Sequence, residues 1–304
     1  MLQTITILGP TATGKTRLAT RLANEIGAEI VSADSRQVYR SMDLGTGKDL
    51  ADYEIEGIKI PYHLIDLVEP GTEYNVFQYQ QAAHKAMREI EKKGKKIILC
   101  GGSGMYIEAI LKGYKLFPVP ENIELRNTLA QKPIGELIQI LTSFRSLHNH
   151  TDTCEYDRLT RAIEIELYYQ QHPEIQEFSQ PVSSVIFGLK GDRDLIRTRI
   201  TKRLKERLEN GMIEEVENLI KTGVNQEQLI RYGLEYKYIT LYLQRQIDYE
   251  TLFTKLNTAI HQFSKRQMTW FRKMERSGFN IYWIDIALSE EEKLAEIFKI
   301  YNPK

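Results

Sequence analysis

Apolar residues in this chain recur at two periods, and the alternation between those periods lays out the fold. Thr4 to Leu8 is a short β-branched, apolar run closed by Gly9 and Pro10, which predicts a strand. Leu18, Leu22 and Ile26 then recur at helical spacing, so Arg17 to Ile26 is predicted as a helix. A second strand is expected at Glu29 to Ser32, and the amphipathic stretch Val76 to Lys93 leads into a third at Lys96 to Cys100. Strands that alternate with helices imply a parallel sheet.

From about Gly113 the pattern changes. Pro118, Pro120 and Pro133 punctuate polar helical segments, and no buried strand is predicted until Val185 to Leu189. Helices are then expected at Asp192 to Thr222, Gln226 to Leu243 and Tyr249 to Arg276, with a last strand at Asn280 to Ile284. The fold class read from this order is α/β: a P-loop NTPase-like parallel sheet core flanked by helices, with an inserted helical subdomain. The core is assigned to 1–113 and 183–304 and the insertion to 114–182.

Composition narrows the function classes. The 304 residues are 42% hydrophobic and 27% charged, with a mean hydropathy of -0.40, as in an ordinary globular protein with a sizeable core. Basic and acidic residues balance at 41 each, so no global field announces a nucleic-acid binder. Charge is nonetheless local: Lys190 to Arg207 carries eight Lys or Arg against three acids, and Lys255 to Arg276 is also mostly basic. Cys100 and Cys154 stand far apart and form no metal or disulfide pattern, which fits a reducing compartment. No run of 18 apolar residues occurs and the chain enters its first strand without a leader, so the expectation is a cytoplasmic protein with no membrane partner, acting as a monomer.

The segment Gly9-Pro10-Thr11-Ala12-Thr13-Gly14-Lys15-Thr16 fits GxxxxGK[ST], and it lies between the first predicted strand and the first predicted helix. Glycines there let backbone N–H groups turn around a phosphate, the helix N-terminus adds partial positive charge, and Lys15 adds a mobile cation. Thr16 supplies a hydroxyl for Mg²⁺. A nucleotide hydrolase also needs a carboxylate ending an apolar strand. Here the strand Lys96 to Cys100 runs instead into Gly101-Gly102-Ser103-Gly104, and the available acid is Asp34, at the end of the second strand and expected beside the loop. That pattern points away from hydrolysis.

With these residues in view, the chain resembles the tRNA dimethylallyltransferases, also called tRNA isopentenyltransferases. The resemblance runs in order through GPTATGKT at Gly9 to Thr16, ADSRQVYRSMDLGTGK at Ala33 to Lys48, and GGSGMYIEAILKG at Gly101 to Gly113. It continues in DRLTRAIEI at Asp157 to Ile165, NGMIEEV at Asn210 to Val216 and KRQMTWFR at Lys265 to Arg272. With no zinc-finger extension in view, the bacterial form is the one it resembles. The resemblance implies transfer of a dimethylallyl group from dimethylallyl diphosphate to N6 of the adenosine 3′ of the anticodon, with diphosphate released. The partners it implies are the tRNA anticodon stem-loop and dimethylallyl diphosphate, and the cofactor is Mg²⁺.

Residue by residue, the resemblance makes Asp34 the general base, Lys15 and Thr16 the loop's charge and metal ligand, and Ser103 a hydroxyl at the reacting nitrogen or the diphosphate. Contacts to tRNA are implied for Asp34, Ser35, Arg36, Gln37 and Ser103, and for Arg126, Asp157, Arg158, Leu159, Thr160 and Arg161 in the insertion. Lys265, Arg266 and Gln267 complete that set, and Arg266 is expected to face the diphosphate or tRNA channel. Arg231 is implied as a diphosphate or substrate ligand, although the glycine that usually follows it is shifted by one, in Arg231-Tyr232-Gly233-Leu234-Glu235-Tyr236. Two further departures stand out: Gly45-Thr46-Gly47-Lys48-Asp49 lacks a proline common in the family, and Asp152-Thr153-Cys154-Glu155-Tyr156 replaces a His-Pro-Asn-Asp stretch. Three rival readings share the phosphate loop: prenylation of free AMP, a small-molecule P-loop kinase, and a scaffold that grips RNA without chemistry.

Overall fold

The computed structural model describes residues 4–144, 156–173 and 180–301. Cys154 and the stretch 152–155 lie outside the described residues. Contacts divide the chain into two compact units, Met1–Tyr114 with Gln180–Lys304, and Lys115–Ser179.

The first unit is built on a parallel sheet. In chain order it contains β1 (Thr4–Leu8), α1 (Lys15–Ile26), β2 (Ala28–Ser32), a 3₁₀ turn (Leu50–Tyr53), a hairpin of β3 (Glu54–Ile55) and β4 (Ile58–Lys59), and β5 (Tyr62–His63). After α2 (Val76–Lys92), β6 (Lys96–Gly101) and α3 (Gly104–Lys112) the chain leaves for the second unit, where α4 (Ile123–Ala130), α5 (Ile134–Phe144) and α6 (Tyr156–Gln171) are described. It returns with β7 (Ser184–Lys190), α7 (Arg193–Glu209), α8 (Met212–Lys221), α9 (Gln226–Tyr232), α10 (Leu234–Leu243), α11 (Tyr249–Arg276), β8 (Ile281–Asp285) and α12 (Glu290–Ile300).

Six strands form one sheet in the order β5-β2-β6-β1-β7-β8, all parallel. β1 and β2 are buried at every position, as strands covered on both faces must be. One face packs against α1 through Leu18 and Leu22, both fully buried and each contributing about 2 kcal/mol of apolar burial, and against α12 through Ile297. The other face packs against α2, α3 and α11 through Tyr79, Ile107 and Phe271. A helical layer of α7 to α11 holds Val38, Tyr39 and Met42 of the β2–β5 connection in its own core.

Register decides where the loops meet. Leu8 pairs with Gly101 and Ser32 with Cys100, so β1, β2 and β6 end at one level and the turns after them converge at the carboxyl edge of the sheet. β6 lies between β1 and β2, so Asp34 is one strand removed from the phosphate loop rather than directly beside it.

Several expected elements are corrected in detail. The helix expected over 192–222 is two helices, because Gly211 takes a left-handed φ of 99° that breaks the first and opens the second. The helix expected over 226–243 divides at Gly233, and the final strand lies one residue later than read. The hairpin β3–β4 and strand β5 are two residues per strand, too short to carry a periodic signal. α12 is a further helix beyond the predicted elements, and its Ser289/Glu292 capping box is written in the sequence.

Candidate active site

A cavity of about 370 Å³ opens at the carboxyl edge of the sheet, lined entirely by the first unit. Thr11, Ala12, Gly14, Lys15 and Thr16 form one wall, and Asp34 to Gln37 and Gly101 to Ser103 form another. Gly45 to Gly47, Asp49, Asp52, Arg203, Arg207 and Gly233 to Glu235 also line it, with Phe263, Arg266 and Gln267 of α11.

The phosphate loop owes its shape to its own hydrogen bonds. Gly14, at φ 81°, caps α1 in a conformation that a β-carbon disfavours, and α1 starts at Lys15, two residues earlier than read. The Pro10 carbonyl accepts from Thr13 Oγ1 at 2.8 Å and from Lys15 Nζ at 2.8 Å, so the lysine folds over the loop. Burial lowers the Lys15 pKa from 10.5 to about 8, with nearby Arg203 pushing the same way. Gly9, Pro10 and Thr13 stand behind the lining, as buried support.

Asp34 follows β2 in a tight turn in which its Oδ1 accepts the Arg36 N–H at 2.9 Å. Ser103 Oγ accepts the Ser35 N–H at 3.0 Å and lies 3.3 Å from Ser35 Oγ, while the Ser103 N–H donates to the Ala33 carbonyl at 3.2 Å. The two turns are therefore tied into one unit. β6 can approach so closely because it ends in glycine: a β-carbon at Gly101 would overlap the Ala33 carbonyl, and one at Gly102 would lie 2.5 Å from Gln267 Nε2.

Arg203 was not singled out by the sequence reading beyond its place in a basic run. On α7 it stands beside the buried stripe of Ile200, Leu204 and Leu208, which turns it and Arg207, one helical turn on, toward the cavity. Its Nη2 bonds Thr11 Oγ1. Burial, with Arg207 close by, lowers its pKa to about 10. Arg207 pairs with Asp49 at 2.8 Å. Glu235, at the start of α10, also lines the cavity, where burial raises its pKa despite the nearby arginines.

The remaining motifs turn out to hold this wall. Glu215 of the NGMIEEV segment accepts the N–H groups of Asp43, Leu44 and Gly45 at 2.8, 2.7 and 3.1 Å, and the Tyr236 hydroxyl at 2.7 Å. Lys48, 1% exposed, donates to the Tyr39 carbonyl at 2.7 Å and to Asp43 at 2.6 Å, and pairs with Asp66. Glu108, 1% exposed, accepts from Trp270 Nε1 at 2.9 Å and from Lys112 at 2.6 Å.

Several residues expected to contact tRNA or diphosphate have side chains that lie inside the protein or off the cavity lining. Gln37 is buried, accepting from Ser32 Oγ at 3.0 Å and donating to the Gly47 carbonyl at 3.1 Å, so its amide is spent inside the wall. Gln267 is likewise spent between Thr11 and Gly102. Arg231 is exposed on α9 and Lys265 on α11, and neither lines the cavity, whereas Arg266 does. In the second unit Leu159 packs with Leu129, Leu137, Leu141 and Ile163, and Thr160 is buried, so neither side chain offers a surface to RNA. Asp157 and Arg158 are exposed. Arg126 and Arg161 are partly exposed and share the buried Glu164. Burial of Glu164 opposes its charge, but hydrogen bonds from Arg126, the Asn122 N–H and Arg161 hold its carboxyl below the usual range. Among the described residues no helix is long and apolar enough to cross a membrane.

Comparison with known proteins matches this geometry to one family. The family model described as IPP transferase matches residues 37–274. A protein of Parabacteroides distasonis named tRNA dimethylallyltransferase 1 is 55% identical over 299 residues, covering 98% of this chain and 97% of its own length. One of Bacteroides fragilis named tRNA dimethylallyltransferase 2 is 57% identical over 291 residues, covering 95% of each. The crystal structure of the full-length tRNA isopentenylpyrophosphate transferase of Bacillus halodurans superposes with a TM-score of 0.72 at 29% identity, covering 98% of this chain and 95% of that one. The chain belongs to the IPP transferase family, as a relative of the bacterial tRNA dimethylallyltransferases.

Proposed function

We propose that this enzyme moves a dimethylallyl group from dimethylallyl diphosphate to N6 of the adenosine 3′ of the anticodon in tRNA, releasing diphosphate. The observation that carries the reading is the meeting, in one cavity, of a phosphate loop bearing Lys15, Arg203 of α7 against that loop, and Asp34 and Ser103, where β6 ends in glycines rather than a carboxylate.

In this reading the C1–O bond of the donor breaks with its electron pair passing to diphosphate oxygen. Lys15, the loop N–H groups and Arg203 stabilise the charge that develops there. Asp34 keeps Oδ1 in its turn and offers Oδ2 to the amine, taking the N6 proton as nitrogen bonds C1. Ser103 is held by Ser35 where its hydroxyl steadies the amine or the departing oxygen. Thr16 lines the same cavity with a hard oxygen suited to Mg²⁺, which when bound supplies further charge for the leaving group. Among the described residues no three His, Cys, Asp or Glu side chains converge as a metal cage.

The exposed Arg158 and the partly exposed Arg126 and Arg161 of the second unit are assigned to the tRNA, where guanidinium groups fork to phosphate or stack on splayed bases. A tRNA substrate suits a cytoplasmic enzyme. The test is incubation with labelled dimethylallyl diphosphate, Mg²⁺ and unmodified tRNA carrying adenosine 3′ of the anticodon. Label on that adenosine is expected, and Asp34→Ala abolishes it while tRNA still binds. Label on free AMP alone, or on neither, overturns the reading.

A further inference from the structure

Gln267 makes two bonds that join the adjoining loops after β1 and β6 in the cavity wall. Its Oε1 accepts the Thr11 N–H of the phosphate loop at 2.9 Å, and its Nε2 donates to the Gly102 carbonyl at 2.9 Å. The side chain is 7% exposed and sits on the longest described helix, α11, whose next turn is fixed by Phe271 in the core and by the Trp270 bond to Glu108. Gly102 directly precedes Ser103, and Ser103 is bonded to the turn that carries Asp34. Thr11 is also the residue whose hydroxyl meets Arg203. One buried amide thus connects the group that holds the donor phosphates with the group that meets the acceptor.

The spacing also accounts for one glycine and for the use of one backbone donor. A β-carbon at Gly102 would lie 2.5 Å from Gln267 Nε2, so the glycine is required by the amide. The Thr11 N–H, which a phosphate loop ordinarily turns toward its ligand, is here consumed by Gln267, so the loop's grip begins deeper, toward Gly14 and Lys15.

We infer that Gln267 is a positioning residue that sets the separation between the donor's C1 and the acceptor nitrogen, so that the nitrogen and not water captures the allylic carbon. This rests on the transfer reaction proposed above. When nitrogen captures C1, the N6 proton leaves to Asp34. When water does so, the same C1–O bond breaks, water oxygen bonds C1 and loses a proton, and the products are dimethylallyl alcohol and diphosphate. The ratio of prenylated tRNA to alcohol reports the positioning directly. It is independent of how much of a preparation is folded, because both products come from the active fraction.

The experiment measures that ratio in single turnover, with tRNA affinity alongside, for wild type, Gln267→Met, Gln267→Glu and Gly102→Ala. Gln267→Met removes both bonds. Gln267→Glu keeps an acceptor for Thr11 and sets a carboxylate against the Gly102 carbonyl. Gly102→Ala displaces the amide from the other side. A misplacement of about 1 Å between reacting groups costs about 100-fold, so transfer should fall about 10- to 100-fold in each variant while alcohol formation falls far less. Gly102→Ala should add little in the Gln267→Met background, because both act on one contact. An unchanged product ratio overturns the inference, and an unchanged ratio with weakened tRNA binding makes Gln267 a tRNA contact instead. Absence of label on tRNA with wild type would overturn the transfer reading itself, whatever the variants do.

Discussion

Lys15 gives the sharpest quantitative test of the phosphate loop. Its ammonium is desolvated at the cavity wall, which lowers its pKa from 10.5 to about 8. A bound diphosphate sets negative charge against Nζ and restores the charged form, so donor binding takes up a proton wherever the free enzyme has lost it. With the free-state value at about 8, affinity is level between about pH 6 and 7 and then falls, reaching a Kd roughly tenfold weaker at about pH 9. Calorimetric titration with an unreactive prenyl diphosphate, whose own last proton leaves near about pH 6, reads both Kd and proton uptake when run in two buffers of different ionisation heat. Lys15→Arg stays charged throughout and should flatten the profile. A Kd that is level through about pH 9, with no proton taken up there, refutes the reasoning. Folding is linked to the same group with a definite sign. The folded chain binds this proton more weakly than the unfolded chain, so the ammonium destabilises the fold below about pH 8, and stability rises as pH climbs from about 8 toward 10.5.

Arg203→Gln removes a guanidinium from Thr11, and loss of one such donor to developing charge should lower the single-turnover rate about 100-fold while tRNA affinity holds. Glu215→Ala leaves three N–H groups and the Tyr236 hydroxyl without their acceptor, and urea unfolding should show a loss of about 2–4 kcal/mol. Gly104→Ala would set a methyl within 2.6 Å of Trp270 Cγ, and the overpacking should cost about 1–3 kcal/mol and shift Trp270 fluorescence in a Trp283→Phe background.

The sheet was legible because strands buried on both faces need unbroken apolar runs, and Thr4–Leu8 matched its strand end to end. Strand order was not legible. Nothing in the residues of β1 and β2 says that β6 runs between them, because that follows from pairing across about 70 to 90 residues. The breaks at Gly211 and Gly233 were visible as glycines, yet a lone glycine is tolerated in helices, and only the observed φ and the packing of Tyr236 on Glu215 show the chain turning. The candidate site divides along the same line. Lys15, Thr16 and Asp34 were readable because their neighbours in sequence explain them, whereas Arg203 and Glu235 enter the cavity from helices distant in the chain. Arg203 looked like one more member of a solvated basic run, and what distinguishes it is the apolar stripe beside it, which aims it inward.

The missing carboxylate at the end of β6 has a steric cause. In a nucleotide hydrolase the strand beside the phosphate-loop strand ends in the acid that manages metal and water. Here a β-carbon would overlap the Ala33 carbonyl at Gly101 and press on the Gln267 amide at Gly102, so a carboxylate side chain would fit only by displacing them. The space an acid would need is the space through which the β2 turn reaches the cavity, and that turn delivers Asp34 past β6. A carboxylate at the end of β6 and Asp34 at the cavity are therefore alternatives within this backbone. A fold that adopts the second gives up the usual means of activating water beside the phosphates, which suits a site whose proposed donor must be captured by an amine before water reaches it.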